Sequence, residues 1–180
     1  MADLLEVVRT RRSIRNFEER EVPEEVLEEV LEAARWAPSW ANTQCWEIIV
    51  LKDKETRDRL LDSFNYPNPA KKAMTRAPVV LALCGKLKSS GYYKGETSTK
   101  FGDWFMFDLG IVTQTICLAA QNRGLGTVIV GLFDHNKAQD LLGVKEGYEL
   151  VVFIPMGYPE KVSSAPGRRT TDEFVHHERF

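Results

Sequence analysis

The chain has 180 residues, 43% of them hydrophobic and 28% charged, which suits one domain with a sizeable core and excludes a disordered polymer. With 24 Lys and Arg against 26 Asp and Glu, the net charge is −2, so no global field recruits nucleic acid or anionic lipid and any anion site must be local. No apolar run is long enough to span a bilayer, and Met1-Ala2-Asp3-Leu4-Leu5-Glu6 lacks the basic start and long apolar segment of a signal peptide. Cys45, Cys84 and Cys117 are odd in number, widely spaced and free of a Cys-x-x-Cys pair, the pattern of reduced thiols in a cytoplasm.

Along the chain, Asp3 is placed to cap a first helix to about Thr10, with Leu4, Leu5 and Val8 as its buried stripe. Pro23 starts a second helix whose core face is Val26, Leu27, Val30, Leu31 and Ala34, and Pro38 ends it. The loop Ser39–Gln44 leads into a short strand at 47–51, and Asp53 caps a helix to about Phe64 that Asn65-Tyr66-Pro67-Asn68-Pro69 breaks. Residues 79–83 form an apolar run expected of a strand covered on both faces. Gly85–Lys100 has no apolar period and reads as a mobile, lid-like excursion.

Asp103 then caps the longest helix, to about Asn122, with Met106, Leu109, Val112, Thr113, Ile116, Ala119 and Ala120 on a wide apolar face that suits a subunit interface. Gly124 and Gly126 end it before a strand at 127–130. Asp134 caps a helix to Leu142 that Gly143 terminates, and the last strand covers 149–154. From Tyr158 the tail carries three apolar anchors, Phe174, Val175 and Phe180, and is either disordered or wrapped on another subunit. Alternating helices and strands predict one sheet with helices on both faces.

Two stretches offer chemistry. Arg11, Arg12, Ser13 and Arg15 place three guanidinium forks and a hydroxyl within five residues, a set that matches phosphate oxygens; part of it also suits the negative end of the first helix. Asn42 and Gln44 each offer a donor and an acceptor that can read a ring edge, beside Trp40 and Trp46 that can cover an aromatic face. A third basic pair, Arg168-Arg169, lies near the other end of the chain. His176-His177-Glu178 lacks the spacing of a helical zinc pair, so no metal site is expected. Gly124-x-Gly126 follows a helix instead of opening one, which does not support a dinucleotide fingerprint.

Arg11-Arg12-Ser13-Ile14-Arg15-Asn16-Phe17, Ala37-Pro38-Ser39-Trp40-Ala41-Asn42-Thr43-Gln44-Cys45-Trp46 and Gly167-Arg168-Arg169, in this order and spacing, resemble the nitroreductase family of flavin enzymes. The resemblance runs the length of the chain. It implies an α+β fold, a three-layer α/β/α sandwich with a mainly antiparallel central sheet, in an entwined homodimer with one FMN per subunit at the interface. By the same resemblance Arg11, Arg12, Ser13 and Arg15 hold the phosphate, ribityl chain and pyrimidine edge. Pro38, Ser39, Trp40, Asn42 and Gln44 meet the flavin from the partner subunit, Val130, Gly131 and Leu132 give a backbone contact near N5, and Arg168 and Arg169 return to the phosphate. An Asn and a Lys from mid-chain also touch the flavin in the family; Asn68, Lys71 and Lys72 are candidates. Cys45 stands where the family has a proline.

The activity implied is hydride transfer from NADH or NADPH through FMN to nitroaromatic, quinone or similar acceptors, with the protein supplying binding, orientation and electrostatics. A backbone N–H near N5 and positive charge near N1 and O2 favour the anionic reduced flavin, and no side chain is named as catalytic acid or base. Trp40, Phe101, Trp104 and Phe105 are candidates to shape the substrate pocket, with core packing as the alternative for each. Two further readings stand beside this one: a flavoprotein of the same fold with another reaction (dehalogenation, ring oxidation or flavin fragmentation), and a non-enzymatic phosphate-ligand module built on the arginines.

Overall fold

The computed structural model describes residues 3–64 and 67–180. Its centre is a four-stranded antiparallel sheet in the order β1-β2-β6-β5, from β1 (Trp46–Leu51), β2 (Val79–Lys86), β5 (Gly126–Thr127) and β6 (Tyr148–Gly157). The apolar run in β2 has alternating destinations. Val80, Ala82 and Cys84 enter one core cluster, while Val79, Leu81 and Leu83 enter the other. This is the period-two consequence of a strand buried on both faces.

Helices α2 (Glu24–Arg35) and α5 (Phe105–Asn122) cover one face, and their Leu27, Val30, Leu109, Val112 and Ile116 fill its cluster. The opposite face is covered by α3 (Lys54–Leu60), α4 (Lys71–Arg76) and α6 (His135–Leu142). The architecture is therefore an α+β, three-layer sandwich. Asp53 and Asp134 cap α3 and α6 by accepting from Thr56 N and Lys137 N, and Gly143 closes α6 at a left-handed φ of 62°.

Several expectations need correction. Helix α1 (Leu4–Thr10) forms, but Leu4, Leu5 and Val8 are 70%, 50% and 47% exposed and Val7 is its buried residue. A shared helix face is legible in sequence; what covers it is not, and within this chain α1 packs chiefly on α5. Helix α3 stops at Leu60 and a single 3-10 turn, Leu61–Ser63, completes it; of the breaker expected after it, Asn65 and Tyr66 lie outside the described residues. Trp104, not Asp103, is the N-cap of α5, with Asp103 Oδ1 accepting from Phe105 N at 3.2 Å. Met106, expected on the core face, is 56% exposed. The strand expected at 127–130 reduces to β5 and one isolated bridge, Val130 to Phe153.

The excursion after β2 is a built hairpin, β3 (Tyr92–Tyr93) against β4 (Glu96–Thr97). Its base is fastened by Lys88 N to Asp103 Oδ2 (2.6 Å), Ser98 N to Gly91 O (2.8 Å) and Trp104 N to Ser90 O (3.1 Å), with Ser90 and Gly91 buried. Polar residues without an apolar period form this element because backbone bonds, not a buried stripe, define it.

Candidate functional site

The arginine cluster is anchored by its own apolar neighbours. Ile14 and Phe17 are buried in the core, each burial contributing about 1.5–3 kcal/mol, while Arg11 and Arg12 are half-buried and Ser13 and Arg15 are exposed. Ser13 forms a parallel bridge to Thr127, and Ile14 N donates to Thr127 O at 2.9 Å. A Cβ on Gly126 would lie 2.5 Å from Ile14 Cγ1, so glycine is what lets the arm lie against β5. At the preceding helix end, Gln121 Nε2 donates to Thr10 Oγ1 at 3.3 Å, which fixes the cluster at the C-terminal end of α5.

The guanidinium groups face no acid. Among the described residues none of Arg11, Arg12 and Arg15 has a carboxylate within ion-pair distance. Arg12 Nη1 donates to the carbonyls of Arg9 and Arg11, each at 2.7 Å, while its buried Nε has no partner. Arg15 Nη1 donates to Ser13 O at 3.4 Å. Burial raises the Cys117 thiol, opposed by a Thr127 hydrogen bond and by the Arg11 charge.

Past β5 the chain runs antiparallel to β6, so Val130–Leu132 lies roughly 10 Å beyond the Ser13 bridge. Ile129 and Leu132 present apolar side chains at 47% and 54% exposure. Asn68, one of three open candidates, donates its Nδ2 to Leu132 O at 2.9 Å and accepts from Ala70 N at 2.8 Å. Lys71 Nζ donates to Phe64 O at 3.5 Å, and Lys72 is exposed. The stretch 127–132 thus carries the arginine arm at its start, through Thr127, and Asn68 at its end, through Leu132. Sequence reasoning missed Ile129; its outward place in an apolar run is legible only once Val128 and Val130 are known to point inward.

The amide loop sits elsewhere. Pro38 is exposed and Ser39 Oγ accepts from Gln44 N at 2.9 Å. A 3-10 turn at Trp40–Asn42 follows, with Ala41, Asn42 and Gln44 at φ of 43°, 55° and 46°. Left-handed backbone at three non-glycine residues is costly and is found where a site requires it. It turns Asn42 and Gln44 outward, their amides joined by a 3.2 Å bond from Gln44 Nε2 to Asn42 Oδ1. Trp40 N donates to Asp108 near the start of α5 (3.1 Å), roughly 20 Å along the helix from Gln121. Within one chain, then, the arginines and the amides do not meet.

Trp40 and Trp104 lie 5.1 Å apart between ring centroids, and Phe101 meets Trp104 edge-on at 6.1 Å. With Pro38, Ser39, Phe107, Asp108 and Ile111, the two indoles line a cavity of about 240 Å³. Phe105 points elsewhere: its ring packs on the α2–α5 core and fills the space that a Cβ on Gly85 would occupy. Arg168 and Arg169 bond only locally, to Gly167 O and Glu173 O, and every residue from Glu160 to Phe180 is exposed.

Comparison with known proteins identifies the family and the fold. The model of the nitroreductase family matches residues 8–73 and 62–158, which takes in the arginine arm, the amide loop and the 129–132 stretch. A Methanothermobacter thermautotrophicus protein named "Putative NADH dehydrogenase/NAD(P)H nitroreductase" is 31% identical over 171 residues, 93% of this chain and 81% of that one. The "5,6-dimethylbenzimidazole synthase" of Rhodospirillum rubrum is 25% identical over 87% of this chain and 82% of its own. Among solved structures, the "FMN-dependent Nitroreductase" of Clostridium difficile R20291 superposes with a TM-score of 0.81 over 98% of this chain and 99% of that one, at 24% identity, and so shares its fold. A phosphate-matching arm on β5, an amide loop on α5 and this sandwich between them, matched over most of their length by one family's model, make the chain a member of the nitroreductase family.

Proposed function

We propose that the protein is an FMN-dependent oxidoreductase that uses NAD(P)H to reduce nitroaromatic, quinone or similar acceptors, and that it works as a homodimer. The observation that carries this reading is the set of guanidiniums without an acid partner among the described residues, with the buried Arg12 Nε unpartnered, on an arm bridged to the strand that leads into the exposed apolar Ile129 and Leu132. Arg11, Arg12, Ser13 and Arg15 would hold the phosphate and ribityl oxygens, for which forked donors are suited. Val130, Gly131 and Leu132 would offer backbone to the ring, with Asn68 bracing Leu132 from behind.

When bound, FMN supplies the redox chemistry, accepting hydride from the nicotinamide and delivering it to the acceptor. The chain's own residues bind, orient and surround it with positive charge, which favours an anionic reduced ring. Pro38, Ser39, Trp40, Asn42 and Gln44 would reach this site from a second subunit, because roughly 20 Å of α5 separates them from the arginines of their own chain. Exposed Leu4, Leu5 and Val8 on α1 and Met106 and Phe107 on α5 give that second copy apolar surface to cover. Arg168 and Arg169 would add to the phosphate from the exposed tail, and Trp40, Phe101 and Trp104 would border the acceptor.

An FMN titration with a sizing measurement tests this: a yellow dimer bleached anaerobically by NADH or NADPH is expected. A protein that stays colourless with FMN, or a yellow monomer, counts decisively against it. The likeness to a dimethylbenzimidazole synthase favours one second reading, a flavoprotein whose reaction does not draw on nicotinamide. Bound flavin that neither NADH nor NADPH bleaches would select that reading.

A further inference from the structure

Asp108 is 1% exposed, yet its carboxylate faces no cation within ion-pair distance among the described residues. Its partners are three neutral donors from two segments distant in sequence, Trp40 N at 3.1 Å (Oδ1) and 3.3 Å (Oδ2) and Cys45 Sγ at 3.5 Å from the amide loop, and Ser90 Oγ at 2.6 Å from the hairpin. Burying a carboxylate is expensive unless its hydrogen bonds are filled, and a hydrophobic residue would pack here at lower cost. What those bonds join explains the choice. Trp40 opens the left-handed turn that aims Asn42 and Gln44 outward, Ser90 is the fully buried base of the hairpin, and Cys45 closes the loop ahead of β1.

A second set of contacts joins the same two segments. Trp104 N donates to Ser90 O at 3.1 Å, Trp104 Nε1 donates to Thr99 Oγ1 at 2.7 Å, and the Trp104 ring lies 5.1 Å from that of Trp40. We propose that Asp108 is the positioning residue of the site, a single buried carboxylate that locks the amide loop 39–44 to the hairpin 85–104 so that the two keep one geometry. A molecule that displaces the hairpin then also displaces Asn42 and Gln44. The consequence for binding rests on the flavin reading given above; the locking does not.

The test uses the full-length chain carrying Asp108→Ala, Asp108→Asn or Ser90→Ala. Three readouts are followed: the circular-dichroism signal of the coupled indoles, iodoacetamide labelling of each cysteine read by peptide mass, and FMN affinity by fluorescence titration. In Asp108→Ala the indole signal should be lost, Cys45 labelling should rise at least tenfold with Cys84 and Cys117 still protected, and FMN binding should weaken about tenfold. Asp108→Asn, which still accepts from Trp40 N, should restore much of each. An unchanged indole signal and an unlabelled Cys45 would overturn the proposal, and so would labelling of all three cysteines in step, which marks general loosening. Should Asp108→Ala not fold, Ser90→Ala decides: loss of the indole signal with Cys45 protected supports the lock, and an unchanged signal overturns it. Loss of the signal with undiminished FMN affinity would uphold the lock and sink the loop's role in flavin binding instead.

Discussion

The arginine arm and the amide loop are held in opposite ways. The arm is fixed through its backbone, on a bridge to β5 and two buried anchors, Ile14 and Phe17, so its charged side chains remain available. The loop is fixed through another residue's side chain, Asp108, and keeps three non-glycine residues in left-handed backbone. A bridged arm should tolerate loss of its side chains without loss of shape. A loop tied to α5 through one carboxylate should shift when that carboxylate is lost.

The sharpest way to break this contrast is Arg11→Ala with Arg12→Ala. Each charge-assisted contact is worth about 1.5–3 kcal/mol, so FMN affinity should fall by roughly a hundredfold or more while the melting temperature moves little. A calorimetric titration that finds affinity unchanged would remove the arm from the site. Gly126→Ala does the reverse, leaving every cation in place and pushing Ile14 off β5. Overpacking of this kind costs about 1–3 kcal/mol, which should appear as a lower urea midpoint together with weaker FMN binding. Full stability in that variant would mean the arm is not seated by this contact.

A pH series sharpens the loop side. Burial, then the charge and hydrogen bond of Asp108, push the Cys45 thiol up to about 12; burial, then Glu47 and Glu149, push Cys84 up to about 11. The unfolded thiols ionise near their ordinary value of 9.0 and the folded ones stay protonated. Above that value the unfolded state binds fewer protons, so their contribution is complete below pH 9 and is lost as pH rises through about 11 and 12. Melting temperature should therefore decline through this window, less steeply in Cys45→Ser with Cys84→Ala; equal slopes would refute the assignment. The smallest effect is expected from Ala41→Gly, which relieves a φ of 43° and should change stability by no more than about 1 kcal/mol, read as a rise of a few degrees in melting temperature. A fall of several degrees would show that Ala41 is not strained.

The arm was legible as a cluster because its logic is local: three guanidiniums and a hydroxyl fall within five residues, and the caps Asp53 and Asp134 and the stop at Gly143 are each decided within a few residues; the burial of Ile14 and Phe17 was not. The loop was legible only as composition. Asp108 lies 68 residues from Trp40 and 18 from Ser90, and no period or spacing joins them. The hairpin likewise read as an excursion, since what fastens it is backbone pairing.

Residue order alone determined roughly where most helices lie, the caps Asp53 and Asp134 and the stop at Gly143, and which polar groups travel together, because those follow from backbone geometry over one or two turns. The tertiary structure decided which face meets which. It sent Val7 inward and left Leu4, Leu5 and Val8 outward, set the arginines and the amides at opposite ends of α5, and gave a buried carboxylate three neutral donors. Contacts between distant segments depend on how whole layers pack, and that packing is specified by the chain collectively, with no single stretch carrying it.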